Sequence, residues 1–533
     1  MSFVSNLVGF TRKSILPKVG KSDTYNMYVE TKDSNEYGFS VILRPMPGYE
    51  VVSTAVTGEP QGTYRCSRVW SGDVANPAKP AVYGVWGKVL YLIIENGQSV
   101  NAYKIADIAG SDRCTFCETS GYGKAAPHLV VCDGVNVYAV DTTLRPEEQR
   151  DTIRPIVMPY AYGEPKQSPV DRIVPSWVAF MYGYLVVGAQ DTDMFYYSVQ
   201  YPFEDDSVPE PMLTNEGFGS WVFSEWQPDN TIAGCSTGSR LFTLGARSFQ
   251  VFTFQDSVDM PFASPDTASQ NIGIRSKHSL ASYGDNIFWM GSSTMGDGTV
   301  YMMGSDVRPA RISTDEIEEM ISGYNSSVCK AFIYKWKSHP FYVMDFPADG
   351  VTLCYDIREQ GWTRLGSRST DGGETSFRYS NAILSTNENL WLQGDGALVK
   401  AVMTKWNEHD GVPILRKRAG GILSSDNRPF KIGSIKLITN NGDYPLVLDH
   451  SPQIFLRYSP DGATWKRSST YTLGNAGRYD YDTIFRNLGK VQYLTIEVGT
   501  SENIGFALYG MDVKGTTCIK GFIHTGVKTI GVN

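Results

Sequence analysis

Gly284-Asp285-Asn286-Ile287-Phe288 is a polar turn that runs directly into an aliphatic–aromatic strand, and the chain repeats that arrangement. The other units are GKVLY (Gly87 to Tyr91), GVNVY (Gly134 to Tyr138), YGYLV (Tyr182 to Val186), GSRLF (Gly238 to Phe242), SHPFY (Ser338 to Tyr342) and NENLW (Asn387 to Trp391). In chain order their first residues are separated by 47, 48, 56, 46, 54 and 49 positions. A self-similar period near 50 residues, each unit carrying strands and turns, is the signature of stacked β-propeller blades. One small sheet cannot bury both faces alone, whereas a ring of blades buries them against each other and protects most strand edges. The expected fold is therefore all-β: a β-propeller of six or seven blades, with a C-terminal β-sandwich-like domain.

Composition agrees with that reading. The 533 residues include 31 Tyr, 24 Phe and 52 Gly, a balance that favours strands and tight turns over helices. A propeller also reconciles the length with a single architecture, because it adds blades rather than thickening one core. The net charge of −8 supplies no global basic field to draw the protein onto nucleic acid or an anionic membrane. The first twenty residues lack the apolar core of a secretory signal, and no stretch has the length of a membrane-spanning helix, so no membrane insertion is expected. Eight scattered cysteines do not make a disulfide framework, and the lone CxxC pair, Cys114 and Cys117, reads as free thiols in a strand turn. No cofactor or metal is expected.

Along the chain, residues 1–24 read as an extended arm carrying Arg12, Lys13, Lys18 and Lys21, with no acid before Asp23. Residues 25–420 read as the propeller with loop insertions. The longest insertion, YPFEDDSVPEPML (Tyr201 to Leu213), is Pro-rich and carries Glu204, Asp205, Asp206 and Glu210. Loops of this length in compact domains are usually functional or interfacial. A helix is expected from Ser313 to Ile321, with a Ser-x-x-Glu capping box and apolar Ile317, Met320 and Ile321 on one face, packed between two blades. LRKRAGG (Leu415 to Gly421), with Arg416, Lys417 and Arg418, reads as a basic, Gly-ended connector. Beyond it, alternating strands such as Lys431 to Thr439, Gln453 to Ser459 and Val491 to Gly499 place the sandwich at 421–533.

Chemistry-bearing motifs are absent from this pattern. The six histidines, His128, His278, His339, His409, His450 and His524, are dispersed, and no nucleophile elbow, Walker loop or dinucleotide fingerprint occurs. Ser459-Pro460-Asp461-Gly462-Ala463-Thr464-Trp465 is similar to the Asp-box turn of sialidases, one residue short, and reads as a hairpin turn with a packed Trp. No catalytic residue is assigned.

Several segments, read together, resemble the phage stabilisation protein family of short-tailed phages. They are Tyr25-Asn26-Met27, Leu43 to Gly48, Asp171-Arg172-Ile173, Ile232-Ala233-Gly234, Gly238 to Phe254, Gly273 to Ser293, Ile312 to Tyr324, and Phe485 to Val498. The tail after Cys518 and the N-terminal arm do not map onto that pattern. The resemblance implies a non-enzymatic virion protein, assembled in the host cytoplasm into a homohexameric nozzle ring of the tail. Such a ring prolongs the DNA channel below the portal and adaptor, helps retain packaged DNA, and attaches a needle or plug and tailspikes or fibres. DNA is expected to pass without specific binding. The charged arm and the acidic insertion are candidate interfaces. Arg416, Lys417 and Arg418, once repeated by symmetry, would be the one place for a local basic ring. The alternative is a glycan-binding or glycan-cleaving propeller, which requires an aromatic- and acid-lined pocket on its axis.

Overall fold

The computed structural model describes residues 2–5, 7–13, 21–31, 41–72, 78–96, 99–119, 127–163, 171–199, 220–224, 227, 229–257, 260–265, 269–293, 296–369, 371–424, 429–444, 450–461 and 464–517. Among these, seven small antiparallel sheets follow one another around a ring. Blade 1 runs Pro60–Trp70, Ala78–Trp86, Val89–Asn96 and Ser99–Asp107, and blade 2 runs Thr115–Glu118, His128–Cys132, Val137–Asp141 and Arg154–Pro155. Blades 3, 4 and 6 begin at Pro175–Met181, Thr231–Thr237 and Lys330–Trp336, and blade 5 begins with a split first strand, Gly273–Ile274 and Ala281–Tyr283, both paired with Asn286–Ser293. Blade 7 takes three strands from Ser380–Leu384, Leu390–Gly394 and Ala397–Val402, and its fourth, Gly48–Ser53, from the other end of the propeller segment. The ring is thus closed by a strand made nearly 350 residues earlier, which removes the seam a linear array would leave open.

The quoted units are the hairpins of these blades. Gly238 and Gly284 sit in their turns at φ 57° and 59°, and Lys337 takes the same left-handed conformation at 53°. In blades 3 to 7 the unit joins the first and second strands, but in blades 1 and 2 it joins the second and third. The period is real, although its phase slips by one strand between Gly134 and Tyr182.

Apolar side chains fill the spaces between blades. Trp177 of blade 3 is fully buried, and a methyl group built on Gly188 or Gly234 would lie 2.1 or 2.6 Å from its ring. Glycine is required at both positions because the indole occupies the side-chain space of two neighbouring strands. The closing seam is held by neutral polar groups as well. The Gln393 amide donates to the Val85 carbonyl at 3.1 Å and accepts from Gly62 N at 3.1 Å, while Trp86 Nε1 donates to the Gly394 carbonyl at 3.1 Å. The helix Asp315–Ser322 packs Ile317 and Ile321 into the core shared by blades 5 and 6. Its cap differs from the sequence pattern: Thr314 is the N-cap, and Ser313 Oγ instead accepts from Val300 N and donates to Glu318.

Apart from a two-stranded ribbon of Ser367–Arg368 and Glu374–Thr375, the remaining described strands form two more sheets around one core. The first orders Met27–Thr31, Val41–Pro45, Leu508–Thr517, Phe430–Thr439 and Thr483–Val491, with Ser2–Ser5 against Leu508–Thr517. The second orders Lys21–Tyr25, Arg416–Ser424, Tyr493–Thr500, Gln453–Ser459 and Ser469–Thr472. Leu7, Val8, Met27, Val29 and Leu43 are buried here with Ile435, Phe485 and Ile496. The arm and the first strands after it therefore belong with the C-terminal sheets, and strand Arg416–Ser424 crosses the expected boundary at 420/421. The propeller lies inside the sandwich sequence, between residues 48 and 402. Apolar residues at Met27, Val29 and Leu43 demand a covering sheet, and that sheet is supplied by strands about 400 positions away. A parallel bridge from Tyr25 to Arg364 joins the second sheet to the outer strand of blade 6, fusing the two parts.

Candidate functional site

Seven inner strands converge on the propeller axis around a cavity of about 480 Å³. Small residues such as Ala179, Ala233, Ala281, Ala331 and Ala382 face it, because so many backbones leave little room for longer side chains. Charged residues cross its mouth. Gln61, almost fully buried, donates from Nε2 to the Gly110 and Asp112 carbonyls at 3.2 and 2.8 Å, and Asp133 accepts from Gly110 N at 2.7 Å. The loop so held sends Arg113 across to blade 6, where Nη1 donates to the Ala331 carbonyl at 2.6 Å. It also places Asp112 Oδ2 2.9 Å from His278 Nε2 of blade 5. The hydrogen bond from His278 holds the Asp112 carboxyl well below the usual carboxylate range, and burial holds His278 below the usual imidazole range. A neutral imidazole with its proton on Nε2 satisfies this contact. Lys277 also lines the cavity, so two cations, Arg113 and Lys277, lie on its wall.

The cavity walls are partly aromatic, with Tyr64 and Phe116 stacked at 6.1 Å and 19°. Its one acidic lining residue, Glu118, accepts from Ser67 N at 2.9 Å and from Ser67 Oγ at 2.7 Å. Glycoside hydrolysis ordinarily needs two carboxylates facing one bond. Glu118 has no acidic companion on this wall, and its oxygens are committed to Ser67.

Arg416, Lys417 and Arg418 lie in the middle of the second sandwich sheet instead of in a connector, 0%, 7% and 4% exposed. Arg416 donates to the Ile504 and Glu502 carbonyls, and burial pushes its guanidinium down to about 9. Lys417 donates to Glu374, and its ammonium and the Arg364 guanidinium both lie 5.3 Å from the Tyr25 ring centre. Arg418 donates to the Leu7 carbonyl at 2.7 Å, the Phe10 carbonyl at 3.0 Å and Thr24 Oγ1 at 2.7 Å. Arg364 pairs with Asp23 at 2.8 Å. These cations fasten the N-terminal segment to the interior and are not on a surface where symmetry could gather them into a ring. Arg12 and Lys13 form a short strand on Lys21–Tyr25. Lys18, Glu204, Asp205, Asp206 and Glu210 lie outside the described residues, as do His524 and the tail from Cys518.

Cys114 lies just before the strand Thr115–Glu118 and Cys117 on it, and they face opposite cores, Cys114 between blades 1 and 2 and Cys117 between blades 2 and 3. Burial pushes both thiols far above their usual range. Asp461 accepts from Ser459 Oγ at 3.0 Å and Thr464 N at 2.6 Å, and Arg457 covers Trp465 at 4.9 Å, so the Asp-box-like segment organises a turn of the sandwich. His339 and Asp356 form a buried pair at 2.8 Å in blade 6. Sequence reasoning missed the Asp112–Arg113–Lys277–His278 group, whose only sequence trace is two short polar runs more than 160 residues apart.

A family model described as "Bacteriophage P22 Gp10, beta-propeller" matches residues 22–401. No curated protein matches the chain. Among solved structures, the extracellular domain of a hybrid two-component system from B. thetaiotaomicron is 8% identical, with 75% of this chain and 44% of that one covered, at a TM-score of 0.38. This chain thus spans less than half the length of that structure. The WD40 β-propeller domain of Doa1 is 9% identical over 66% of this chain and 96% of its own, with a TM-score of 0.34. An exo-β-1,3-galactanase from Phanerochaete chrysosporium, solved with galactose, is 10% identical over 85% of this chain and 100% of its own, at 0.24. Likenesses this distant carry no functional argument.

Proposed function

The chain belongs to the phage stabilisation family of β-propeller proteins, and from that premise we propose that it forms a homohexameric nozzle ring in the tail of a short-tailed phage. It is a phage structural protein. In the proposed role it extends the DNA channel below the portal and adaptor, helps to retain packaged DNA, and attaches a needle or plug and tailspikes or fibres, without catalysis.

The observation that carries the reading is the family match over most of the propeller, and the blocked axis sharpens it. A cavity of about 480 Å³, stapled across by Arg113, has the dimensions of a small-ligand pocket and cannot admit a duplex. DNA would therefore run through the space enclosed by several chains, never through one propeller. A wall that must release DNA on ejection should make few phosphate contacts, because each one adds salt-dependent affinity. The overall charge of −8 and the inward burial of Arg416, Lys417 and Arg418 support a lumen that leaves the duplex hydrated. The arm lysines and arginine (Arg12, Lys13, Lys18, Lys21) and the acids Glu204, Asp205, Asp206 and Glu210 are proposed as contacts between neighbouring chains or adjoining rings.

Native mass measurement with negative-stain imaging tests this directly, a six-chain ring being expected. A monomer or trimer that binds glycans would replace this reading with the receptor-binding one. The interface is tested by Gln at the four arm cations. Deletion of 1–21 is unsuitable, because Leu7 and Val8 are core residues.

A further inference from the structure

We propose that the axial cavity is a binding site for a sugar-sized ligand bearing an oxyanion, held by Arg113 and Lys277. The cavity volume of about 480 Å³ falls in the range of small-molecule sites, roughly 300–1,000 Å³. Asp112 hydrogen-bonds to His278 and Glu118 to Ser67, and neither Arg113 nor Lys277 has a carboxylate within ion-pair distance among the described residues. A partly buried cation with no directly paired carboxylate gains from a ligand anion placed against it. Arg113 spends one of its five N–H donors on the Ala331 carbonyl, which fixes the guanidinium at the mouth. Burial pushes that guanidinium down to about 10, against the opposing pull of the nearby Asp112 carboxylate. The planar fork suits a carboxylate or phosphate, and Lys277 adds a point charge beside it. Tyr64, Phe116 and Phe180 line the cavity with aromatic faces and Ser282 adds a hydroxyl, while Ser236 Oγ already donates to the Phe180 carbonyl at 2.9 Å and Asn381 Nδ2 to Gln393 Oε1 at 2.8 Å. That mixture fits a sugar body. The site lies within one chain, so it stands whether or not chains assemble into a ring.

The test is calorimetric titration and thermal unfolding of the full chain with glucose 6-phosphate, glucuronate, inorganic phosphate and neutral glucose at matched ionic strength. One saturable site per chain is expected for glucose 6-phosphate or glucuronate, with a raised melting midpoint. The stronger of the two identifies the source as a sugar phosphate or a sugar acid. Inorganic phosphate should bind more weakly, and glucose should leave the midpoint unmoved. Lys277→Gln should weaken binding at least about tenfold while the unliganded midpoint holds, because Lys277 makes no hydrogen bond among the described residues. Arg113→Gln should weaken it as much, and Arg113→Lys should restore part. No saturable heat up to about 10 mM of either anion, equal binding of glucose, or unchanged affinity in Lys277→Gln would overturn the proposal.

Discussion

The seams between blades and the joint between propeller and sandwich are both interior, yet they are built from different materials. Between blades, Trp177 fills the side-chain space of two glycines, and Gln393 links strands with neutral hydrogen bonds. At the joint, Asp23, Arg364, Glu374, Lys417 and Arg418 surround the strand Lys21–Tyr25. Buried polar atoms without partners occur there, at Tyr25 Oη, Thr363 Oγ1, Arg364 Nε and Arg416 Nε, and also in the blades, at Trp177 Nε1 and Ser380 Oγ. Apolar filling is non-directional and suits a motif that repeats seven times. A single strand docking once, far from its neighbours in sequence, needs groups that accept only one position. Our hypothesis is that the buried ions supply that selectivity while adding little net stability, because desolvation offsets most of their attraction.

Four experiments break or sharpen this contrast. Trp177→Ala should cost about 3–5 kcal/mol, the range for emptying a buried aromatic site, read by urea denaturation of the full chain. A cost below 1 kcal/mol would mean the blade seams do not depend on their filling. Next, Arg364→Met should cost about 3 kcal/mol by leaving Asp23 buried without its cation. Adding Asp23→Leu should recover most of that loss, while amide exchange in Lys21–Tyr25 stays faster than in the parent. Full recovery of both would assign the pair to stability alone.

The third concerns Asp345, a carboxyl in blade 6 that accepts from Thr352 Oγ1 at 2.8 Å and faces Lys330 across the strand pair. Burial pushes it up to about 6. The fold thus favours the protonated acid, so its contribution is complete below pH ~4, where the unfolded chain is protonated too. That contribution is lost as pH rises through about 6. Asp345→Asn should gain roughly 1–2 kcal/mol on the parent between pH 4 and pH 7, measured from denaturation midpoints; parallel pH profiles would refute it. The smallest effect is expected at the exposed pair Lys436–Asp482, 2.6 Å apart. Lys436→Ala should change stability by less than about 1 kcal/mol, and less again in high salt.

The contrast also explains what could be read from the residues. Blade hairpins are local, so Gly238-Ser239-Arg240 and Gly284-Asp285-Asn286 announce themselves by turn chemistry. The same signal does not say which hairpin of a blade it marks, and the phase slip between blades 2 and 3 went unseen. Leu415 to Gly421 looked like a connector because charge and glycine usually mean solvent. The carbonyls of Leu7, Phe10, Glu502 and Ile504 that accept from these arginines carry no residue-type signature. The box at Ser313 failed for a similar reason: Val300, a neighbour only in space, competes for its hydroxyl. The axial cations were illegible because Arg113 and Lys277 meet only after the ring has closed.

Ring closure by Gly48–Ser53 has a consequence in time. The first strands of the chain are synthesised earliest and paired latest: Gly48–Ser53 waits for Ala397–Val402, and Ser2–Ser5 waits for Leu508–Thr517. At roughly 5–20 residues per second of synthesis, that delay lasts tens of seconds. During it the nascent protein carries an unmatched strand at the head of a half-built ring. A truncated message, or a ribosome stalled before the last hundred codons, would therefore leave two incomplete sheets in place of one shortened protein.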